Sequence, residues 1–246
     1  MKFDDGLEIE RAMVIYAHPD DAEFGSSGTV AKWAREGVEV TYLMVTNGAS
    51  GSSDPKMTRE KLAKIRAKEQ QAAASMLGVA NLVFLGFEDG YLEPTLDVRR
   101  AVAREIRKAR PDAIISQDPT RRTWHPVYIN HPDHIAVGEV VMRSINPDAS
   151  TRLMFPELWT EEKLEPHKPK ALFLVNPTEA EVFIDITDVM DLKVEALEAH
   201  ASQIGDFAVG DFIRERNREI GKLAREKGNE GSFEYAEAYQ LFRLEI

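Results

Sequence analysis

Two short clusters of histidine and aspartate dominate the chemistry that this sequence could support. The first reads HPDD at residues 18–21, and the second reads HPDH at residues 131–134. Imidazole and carboxylate groups both bind divalent metal ions. Three protein ligands with one open position are typical of a catalytic zinc site, because a water molecule takes the open position. Since the 246-residue chain contains no cysteine, any metal ion must be bound by His, Asp or Glu.

The first cluster offers two metal ligands and one further acid or base. His18 supplies an imidazole and Asp21 a carboxylate, whereas Asp20 is left for proton transfer. Pro19 favours an extended conformation at His18. Because Pro-Asp-Asp is also a good turn and helix-cap sequence, this cluster on its own fits a structural turn equally well.

The second cluster could complete the metal site. His134 could be the third ligand, His131 lies about one helical turn away from it, and Asp133 could orient a neighbouring imidazole. The alternative is a set of solvated helix-cap residues, because an aspartate near a helix start is stabilising by itself. Two His-Pro-Asp tripeptides that both follow predicted strands are hard to attribute to capping, and they favour a shared metal site.

Both clusters follow strands in a regular alternation of predicted strands and helices. Short apolar or β-branched runs predict the strands, and capping residues, Gly and Pro mark the helix ends. The predicted strands are 12–17, 38–45, 81–85 and 113–116, and the predicted helices are 26–36, 58–77, 95–110 and 134–145. This order predicts an α/β fold with a Rossmann-like, mostly parallel sheet flanked by helices on both faces. Ligands of such sheets bind beyond the carboxyl ends of the strands, where both clusters fall.

The C-terminal part of the sequence is less regular. The predicted strands there are 171–175, 182–186 and one within 233–246, and the predicted helices are 188–201 and 209–227. The Pro-rich segment 146–170 is predicted to be an irregular insertion. Since no repeat or low-complexity linker divides the sequence, we expect a single α/β domain over residues 1–246, with an additional C-terminal strand and helix portion.

Composition narrows the classes of protein to consider. The formal net charge of −11 argues against nucleic-acid binding, because phosphate contacts need a basic face. No apolar run approaches the ~20 residues that span a membrane, and residues 1–10 lack the apolar core of a signal peptide. We therefore expect a cytoplasmic protein that binds neither nucleic acid nor membrane, and the absence of cysteine fits that compartment.

Taken together, the two clusters resemble those of the PIG-L/LmbE-like zinc de-N-acetylases, which include deacetylases of the mycothiol, bacillithiol and diacetylchitobiose pathways. The resemblance rests on AHPDDAEFGSSGT at residues 17–29 paired with the later HPDH. TNG, IRAKEQQAAASMLGV, FLGFEDG and EALEAHASQ support it along most of the chain. It implies a hydrolase that releases acetate and a free amine from an N-acetylglucosamine-containing small molecule or glycoconjugate. It also implies a homo-oligomer, such as a trimer or hexamer.

The resemblance further implies roles for individual residues. The implied ligands of Zn²⁺ are His18, Asp21 and His134. Asp20 would be the general base. His131 would stabilise or protonate the reaction intermediate, oriented by Asp133.

Three more residues are implied substrate contacts. Arg66 and Asp89 would line the sugar-binding site, and His200 would face it. Each also has a structural explanation, namely a solvated helix face, a turn, and a core or interface histidine at helical spacing. Some family members carry a tyrosine oxyanion donor two residues before HPDH. That position is Ile129 here, and Tyr128 is one residue off, which fits a branch that relies on a histidine instead.

Other functions fit parts of the pattern. An amidase acting on thiol-sugar conjugates is the alternative within the same enzyme class. Two His and one carboxylate also bind iron in non-haem oxygenases, although those sites usually lie in β-barrels. A phospho-accepting receiver module would use Asp20 and Asp21 but would leave His18 without a role. His125, in a predicted loop, could border the pocket.

Overall fold

The computed structural model describes residues 1, 6–124 and 128–244, so His125 lies outside the described residues. The strands are β1 (Arg11–Tyr16), β2 (Glu39–Thr46), β3 (Asn81–Phe87), β4 (Ala113–Gln117), β5 (Thr123–Trp124), β6 (Tyr128–Ile129), β7 (Ala171–Val175), β8 (Val182–Asp185) and β9 (Ala236–Arg243). The α-helices are α1 (Asp21–Gly25), α2 (Ser27–Arg35), α3 (Arg59–Met76), α4 (Leu96–Ala109), α5 (Pro132–Arg143), α6 (Pro156–Thr160), α7 (Met190–Glu198), α8 (Ala201–Ile204) and α9 (Val209–Glu226).

Seven of these strands form one sheet in the order β3-β2-β1-β4-β7-β9-β8. The first five in this order run parallel to one another, whereas β9 is antiparallel to both β7 and β8. The short strands β5 and β6 form a separate antiparallel pair. The sheet is mostly parallel, as predicted, and its far end is an antiparallel C-terminal portion.

Helices cover both faces of the sheet. The apolar side chains of β1 and β2 are buried almost without exception, as expected for parallel strands covered on both sides. One face packs against α2, α7, α9 and the C-terminal end of α3, and the other packs against α4 and α5. The predicted α/β architecture is therefore confirmed. Among the described residues, no helix combines the length and apolar character that crossing a membrane requires.

Local capping explains where the helices begin. The side chains of Thr58 and Thr95 accept hydrogen bonds from backbone N–H groups in the first turns of α3 and α4. The helix predicted to begin at residue 134 begins earlier, at Pro132, because proline suits the first helical turn and His131 caps it.

The predicted helix 188–201 is wrong at its C-terminal end. α7 ends at Glu198, and His200 lies in the short connection to α8 with a non-helical backbone. The His200 side chain bonds to Glu23 instead of continuing along the α7 face. A tertiary contact that the local pattern does not contain therefore ends this helix.

The order of the strands creates a crevice between β1 and β4. From β1 the chain proceeds to β2 and β3 on one side, and then crosses to β4 and β7 on the other. Adjacent parallel strands whose connections leave in opposite directions open a cleft at their carboxyl ends. The loop after β1 carries the first cluster, and the segment between β4 and α5 carries the second, so the topology brings them together.

Candidate metal centre

The loop after β1 turns sharply so that its polar side chains point in different directions. Asp20 adopts a left-handed backbone conformation with a φ of 98°. The next residue, Asp21, begins α1, and its carboxylate accepts a hydrogen bond from the backbone N–H of His18 at 2.8 Å. This turn separates the carboxylates of two successive aspartates and gives them different neighbours.

Three potential ligand groups converge beside this turn. The Nδ1 atom of His18 lies 3.2 Å from Asp21 Oδ2 and 3.2 Å from His134 Nε2. His134 Nε2 lies 3.0 Å from Asp21 Oδ1. Zinc bonds of about 2.0–2.1 Å in a tetrahedral arrangement separate neighbouring ligand atoms by about 3.3 Å. The donor set of His18, Asp21 and His134 therefore fits a small divalent cation.

The orientation of His134 is fixed from behind. Its Nδ1 atom lies 3.0 Å from the side-chain oxygen of Asn130, and the Asn130 amide donates to the carbonyl of Arg121 at 2.7 Å. Nδ1 therefore carries the proton in neutral His134, which leaves the lone pair of Nε2 facing Asp21. Asn130 acts as an orienting partner that the sequence interpretation did not single out.

His18 is held in the same manner by two carboxylates. Its Nε2 atom lies 3.0 Å from Asp89 Oδ1 and 3.2 Å from Asp133 Oδ2. The Asp133 carboxylate is buried and also accepts the backbone N–H groups of Gly90 at 2.7 Å and Leu92 at 3.3 Å. Carboxylates commonly orient metal-binding histidines through the distal ring nitrogen. Asp89 and Asp133 thus direct Nδ1 of His18 towards Asp21 and His134.

Asp133 does not hold His131 through its carboxylate. The closest carboxylate oxygen lies 3.9 Å from His131 Nδ1, which is too far for a hydrogen bond. Instead, His131 Nδ1 accepts the backbone N–H of Asp133 at 3.2 Å and caps α5. The neutral ring therefore carries its proton on Nε2, and its side chain is 36% exposed. The centroid of the His131 ring lies 4.6 Å from that of His18, so the His131 N–H group is a hydrogen-bond donor at the edge of the cluster.

Asp20 is paired with Arg66. The Arg66 Nη2 atom lies 3.2 Å from Asp20 Oδ2 and also donates to the carbonyl of Pro19. Burial raises the pKa of Asp20 to about 7, against the opposing charge of Arg66 and with a further contribution from Asp21. Arg66 itself is only 4% exposed, so the alternative of a solvated helix face is wrong for this residue.

Charges within the cluster shift the other titrations in opposite directions. Burial lowers the pKa of His18, but Asp21, Asp133 and Asp89 outweigh burial and raise this pKa well above its usual value. Burial raises the pKa of Asp21, but His134 and His18 outweigh burial and lower this pKa well below its usual value. The site thus favours cationic charge between its carboxylates.

Comparisons with known proteins identify the family to which this chain belongs. The family model for PIG-L, described as GlcNAc-PI de-N-acetylase, matches residues 13–145, a stretch that contains both clusters. The diacetylchitobiose deacetylase of Thermococcus kodakarensis is 32% identical over 196 residues, which cover 80% of this chain and 71% of that protein. The chain belongs to the PIG-L family.

Two further relatives of this PIG-L family chain extend the comparison. The 1D-myo-inositol 2-acetamido-2-deoxy-alpha-D-glucopyranoside deacetylase of Rhodococcus erythropolis is 27% identical over 239 residues, covering 79% of this chain and 81% of that protein. The structure of N,N'-diacetylchitobiose deacetylase from Pyrococcus horikoshii, complexed with its inhibitor MPG, matches with a TM-score of 0.85 and 28% identity. The match covers 96% of this chain and 85% of that chain. The predicted family and enzyme class, a hydrolase of amide bonds, are therefore confirmed.

The structure places one predicted site residue of this PIG-L family chain behind the cluster. His200 has no exposed surface, and its Nε2 atom lies 3.1 Å from Glu23 Oε2. A side chain in this position cannot touch a substrate without moving. Two buried partners, Glu23 and Gln70, were missed because an isolated polar residue in a helical sequence carries no signal of what it contacts.

Proposed function

We propose that this chain removes the acetyl group from an N-acetylglucosamine-containing small molecule or glycoconjugate, with Zn²⁺ bound by His18, Asp21 and His134. The observation that carries the proposal is the convergence of these three side chains, with 3.0–3.2 Å between their ligand atoms. Nδ1 of His18 and Nε2 of His134 face one another at 3.2 Å beside the Asp21 carboxylate, and a cation bound between them would stabilise this arrangement.

Asp20 is the proposed general base. When bound, zinc lowers the pKa of a coordinated water from about 15.7 to about 7 and polarises a carbonyl group. The Asp20 carboxylate, held by Arg66 at 3.2 Å, accepts the proton as water attacks the acetamide carbon. Positioned proton transfer of this type contributes about 10²–10⁴ in rate.

His131 is the proposed donor to the developing oxyanion. Its Nδ1 accepts the Asp133 backbone N–H. Its Nε2–H, which has no hydrogen-bond partner among residues 1, 6–124 and 128–244, can therefore donate to the carbonyl oxygen. A donor aimed at charge that develops in the transition state is among the strongest contributions to catalysis. As the tetrahedral intermediate collapses, the C–N bond breaks, the proton that Asp20 accepted passes to the amine nitrogen, and acetate and the free amine leave.

The relatives support an amino-sugar substrate, since the compared deacetylases are named for diacetylchitobiose and for an acetamido-deoxy-glucopyranoside. Direct sugar contacts by Arg66, Asp89 and His200 stay predictions. The side chains of Arg66 and Asp89 are 5% and 4% exposed, and the contacts above favour positioning roles for both. Further proposals are a cytoplasmic location, a homo-oligomeric state such as a trimer or hexamer, and a single domain over residues 1–246.

The decisive experiment measures acetate release from N-acetylglucosamine conjugates, including N,N'-diacetylchitobiose, before and after chelation and after zinc is restored. We expect chelator-sensitive release by the wild type. Asp20→Asn should keep its zinc and lose about 10²–10⁴ in kcat. Asp97→Asn, an exposed substitution on α4, is the matched control and should behave as wild type.

Four results would contradict parts of this proposal. Absence of acetate release from every conjugate would reject the deacetylase function. Oxygen uptake instead of acetate release would favour the oxygenase. Release only from thiol-sugar conjugates would favour the amidase. Near-normal kcat in Asp20→Asn would reject Asp20 as the base while leaving the reaction intact.

A further inference from the structure

The peptide group between Pro19 and Asp20 is held at both of its polar ends by helix α3. Arg66 Nη2 donates to the Pro19 carbonyl oxygen, and the Asp20 N–H donates to Gln70 Oε1 at 3.0 Å. Residues four apart on a helix are neighbours on one face, so Arg66 and Gln70 act on this peptide from the same side. Together they fix the plane of the peptide from which the Asp20 side chain departs.

The conformation that they hold is one that aspartate seldom adopts. Asp20 has a φ of 98°, in the region that non-glycine residues avoid because of steric conflict. Such residues persist only where the surrounding structure fixes them, and they are often found at functional sites. The Asp20 N–H donates to Gln70 Oε1, and this hydrogen bond holds the backbone nitrogen about which φ rotates.

The orientation of the Gln70 side-chain amide is itself determined. Its Nε2 donates to Glu23 Oε1 at 3.1 Å, and His200 Nε2 lies 3.1 Å from Glu23 Oε2. A backbone N–H can only donate, so the oxygen of Gln70 must face Asp20 and its NH₂ end must face Glu23, whose side-chain oxygen accepts. All three side chains are fully buried.

We propose that Gln70 is a positioning residue for Asp20, and that Glu23 and His200 fix the direction of its amide. Gln70 has no exposed surface and bonds only to Asp20 and Glu23 among the described contacts, so it acts through Asp20 and not on substrate. This gives His200 a role at a distance, through Glu23. The inference rests on the proposed function, because it assumes that the direction of the Asp20 carboxylate limits turnover.

The principal variant is Gln70→Met, which keeps the length of the side chain and removes both hydrogen bonds. We expect kcat to fall about 10–100-fold, the range typical when a partner that orients a catalytic group is lost. KM and zinc content should stay near the wild-type values, because neither substrate nor metal touches Gln70. Gln71→Met, one residue further along α3 with an exposed side chain, is the matched control.

A second variant tests the direction of the hydrogen bonds and not merely the volume. The exchange Gln70→Glu with Glu23→Gln preserves size, net charge and every hydrogen bond of the chain from His200 to Asp20. We expect the exchange to recover most of the kcat that Gln70→Glu loses alone, where two carboxylates face each other. A merely structural role predicts instead that thermal stability, zinc content and kcat change together.

The outcomes separate the two proposals. A wild type inactive on every N-acetyl sugar rejects the proposed function. An active wild type with an equally active Gln70→Met variant rejects the positioning role alone. A crystal structure of Gln70→Met in which Asp20 keeps its φ and carboxylate direction would also overturn it. If Gln70→Met does not fold, the comparison of Gln70→Glu with the exchange still decides the question.

Discussion

His18 uses both of its ring nitrogens, and this makes it the central residue of the cluster. Nδ1 faces Asp21 and His134, whereas Nε2 faces the carboxylates of Asp89 and Asp133. The two buried carboxylates raise the electron density of the ring and fix its tautomer. A metal bound at Nδ1 would gain from this arrangement, because a histidine ligand binds through an unprotonated nitrogen.

At the residue scale we expect His18→Ala and His134→Ala each to lose the bound metal, since each removes one of three proposed ligands. Elemental analysis of the purified variants measures this directly. His167→Ala is the control, because His167 bonds to the Pro111 carbonyl and lies outside the cluster. Full zinc occupancy in both ligand variants would remove the proposed site.

The residue types that carry chemistry could be predicted, but their connections could not. The repeated His-Pro-Asp pattern pointed to His18, Asp21 and His134, which the structure brings together. The pattern indicated only that Asp133 orients a neighbouring imidazole, and the family resemblance implied that this imidazole is His131, whereas the Asp133 carboxylate contacts His18. Which of several nearby imidazoles a carboxylate reaches depends on side-chain direction in three dimensions, and spacing along the chain does not specify it.

Two helices deliver the partners of the first cluster from different sides. Helix α3 supplies Arg66 and Gln70, which contact Pro19 and Asp20, and α5 supplies His134.

Helix α5 can lie close to the chain that leaves β4 because Gly138 has no side chain. A Cβ atom at this position would come within 2.6 Å of the Gln117 carbonyl oxygen and 2.7 Å of Pro119.

At the element scale we expect Gly138→Ala to weaken metal binding as well as folding. The added methyl group meets backbone, which cannot yield easily, so α5 must shift and carry His134 with it. Gly221→Ala on α9 is the matched control, since its Cβ atom would also meet backbone, at Phe233 and Glu234, but α9 carries none of the cluster.

Both glycine variants should lower the melting temperature, and only Gly138→Ala should raise the Kd for zinc. Calorimetric titration of the metal-free proteins with zinc, beside thermal unfolding, compares the two effects. Equal zinc affinity in the two variants would show that the position of α5 does not control the site.

The parallel part of the fold could be predicted from the sequence because its strands are short apolar runs that alternate with helices, and all of them except β3 are buried. The positions of β8 and β9 could not. β9 enters the sheet between β7 and β8 in the antiparallel direction, and this order is set by contacts among residues distant in sequence. Glu237 on β9 is an example, since it accepts the backbone N–H groups of Gly28 and Thr29 at the start of α2.

Glu237 and Lys193 join the C-terminal strand to the rest of the molecule. Lys193 Nζ lies 2.7 Å from Glu237 Oε1, with both side chains buried, and also donates to the backbone carbonyl of Glu23 at 2.8 Å. One ion pair therefore connects α7, α2 and β9 beneath the loop that carries the first cluster. Removing one member of such a pair leaves an uncompensated buried charge, which typically costs about 3–5 kcal/mol.

At the scale of the whole molecule we expect Lys193→Met to lower the free energy of unfolding by about 3–5 kcal/mol at pH 7. Lys108→Met, which breaks an exposed ion pair with Glu105, should cost less than about 1 kcal/mol.

The same ion pair predicts how stability depends on pH. Burial raises the pKa of Glu237, but Lys193 and Thr29 outweigh burial and hold this pKa below its usual value. In the wild type, the stabilisation from this carboxylate is therefore complete above the unfolded pKa of about 4.3. It is lost as the pH falls through the lower folded value. Urea unfolding from pH 7 to pH 3 should show a flatter acid decline in Lys193→Met, where burial acts on Glu237 without the ammonium group. Parallel declines in the variant and the wild type would show that Lys193 does not set the ionisation of Glu237.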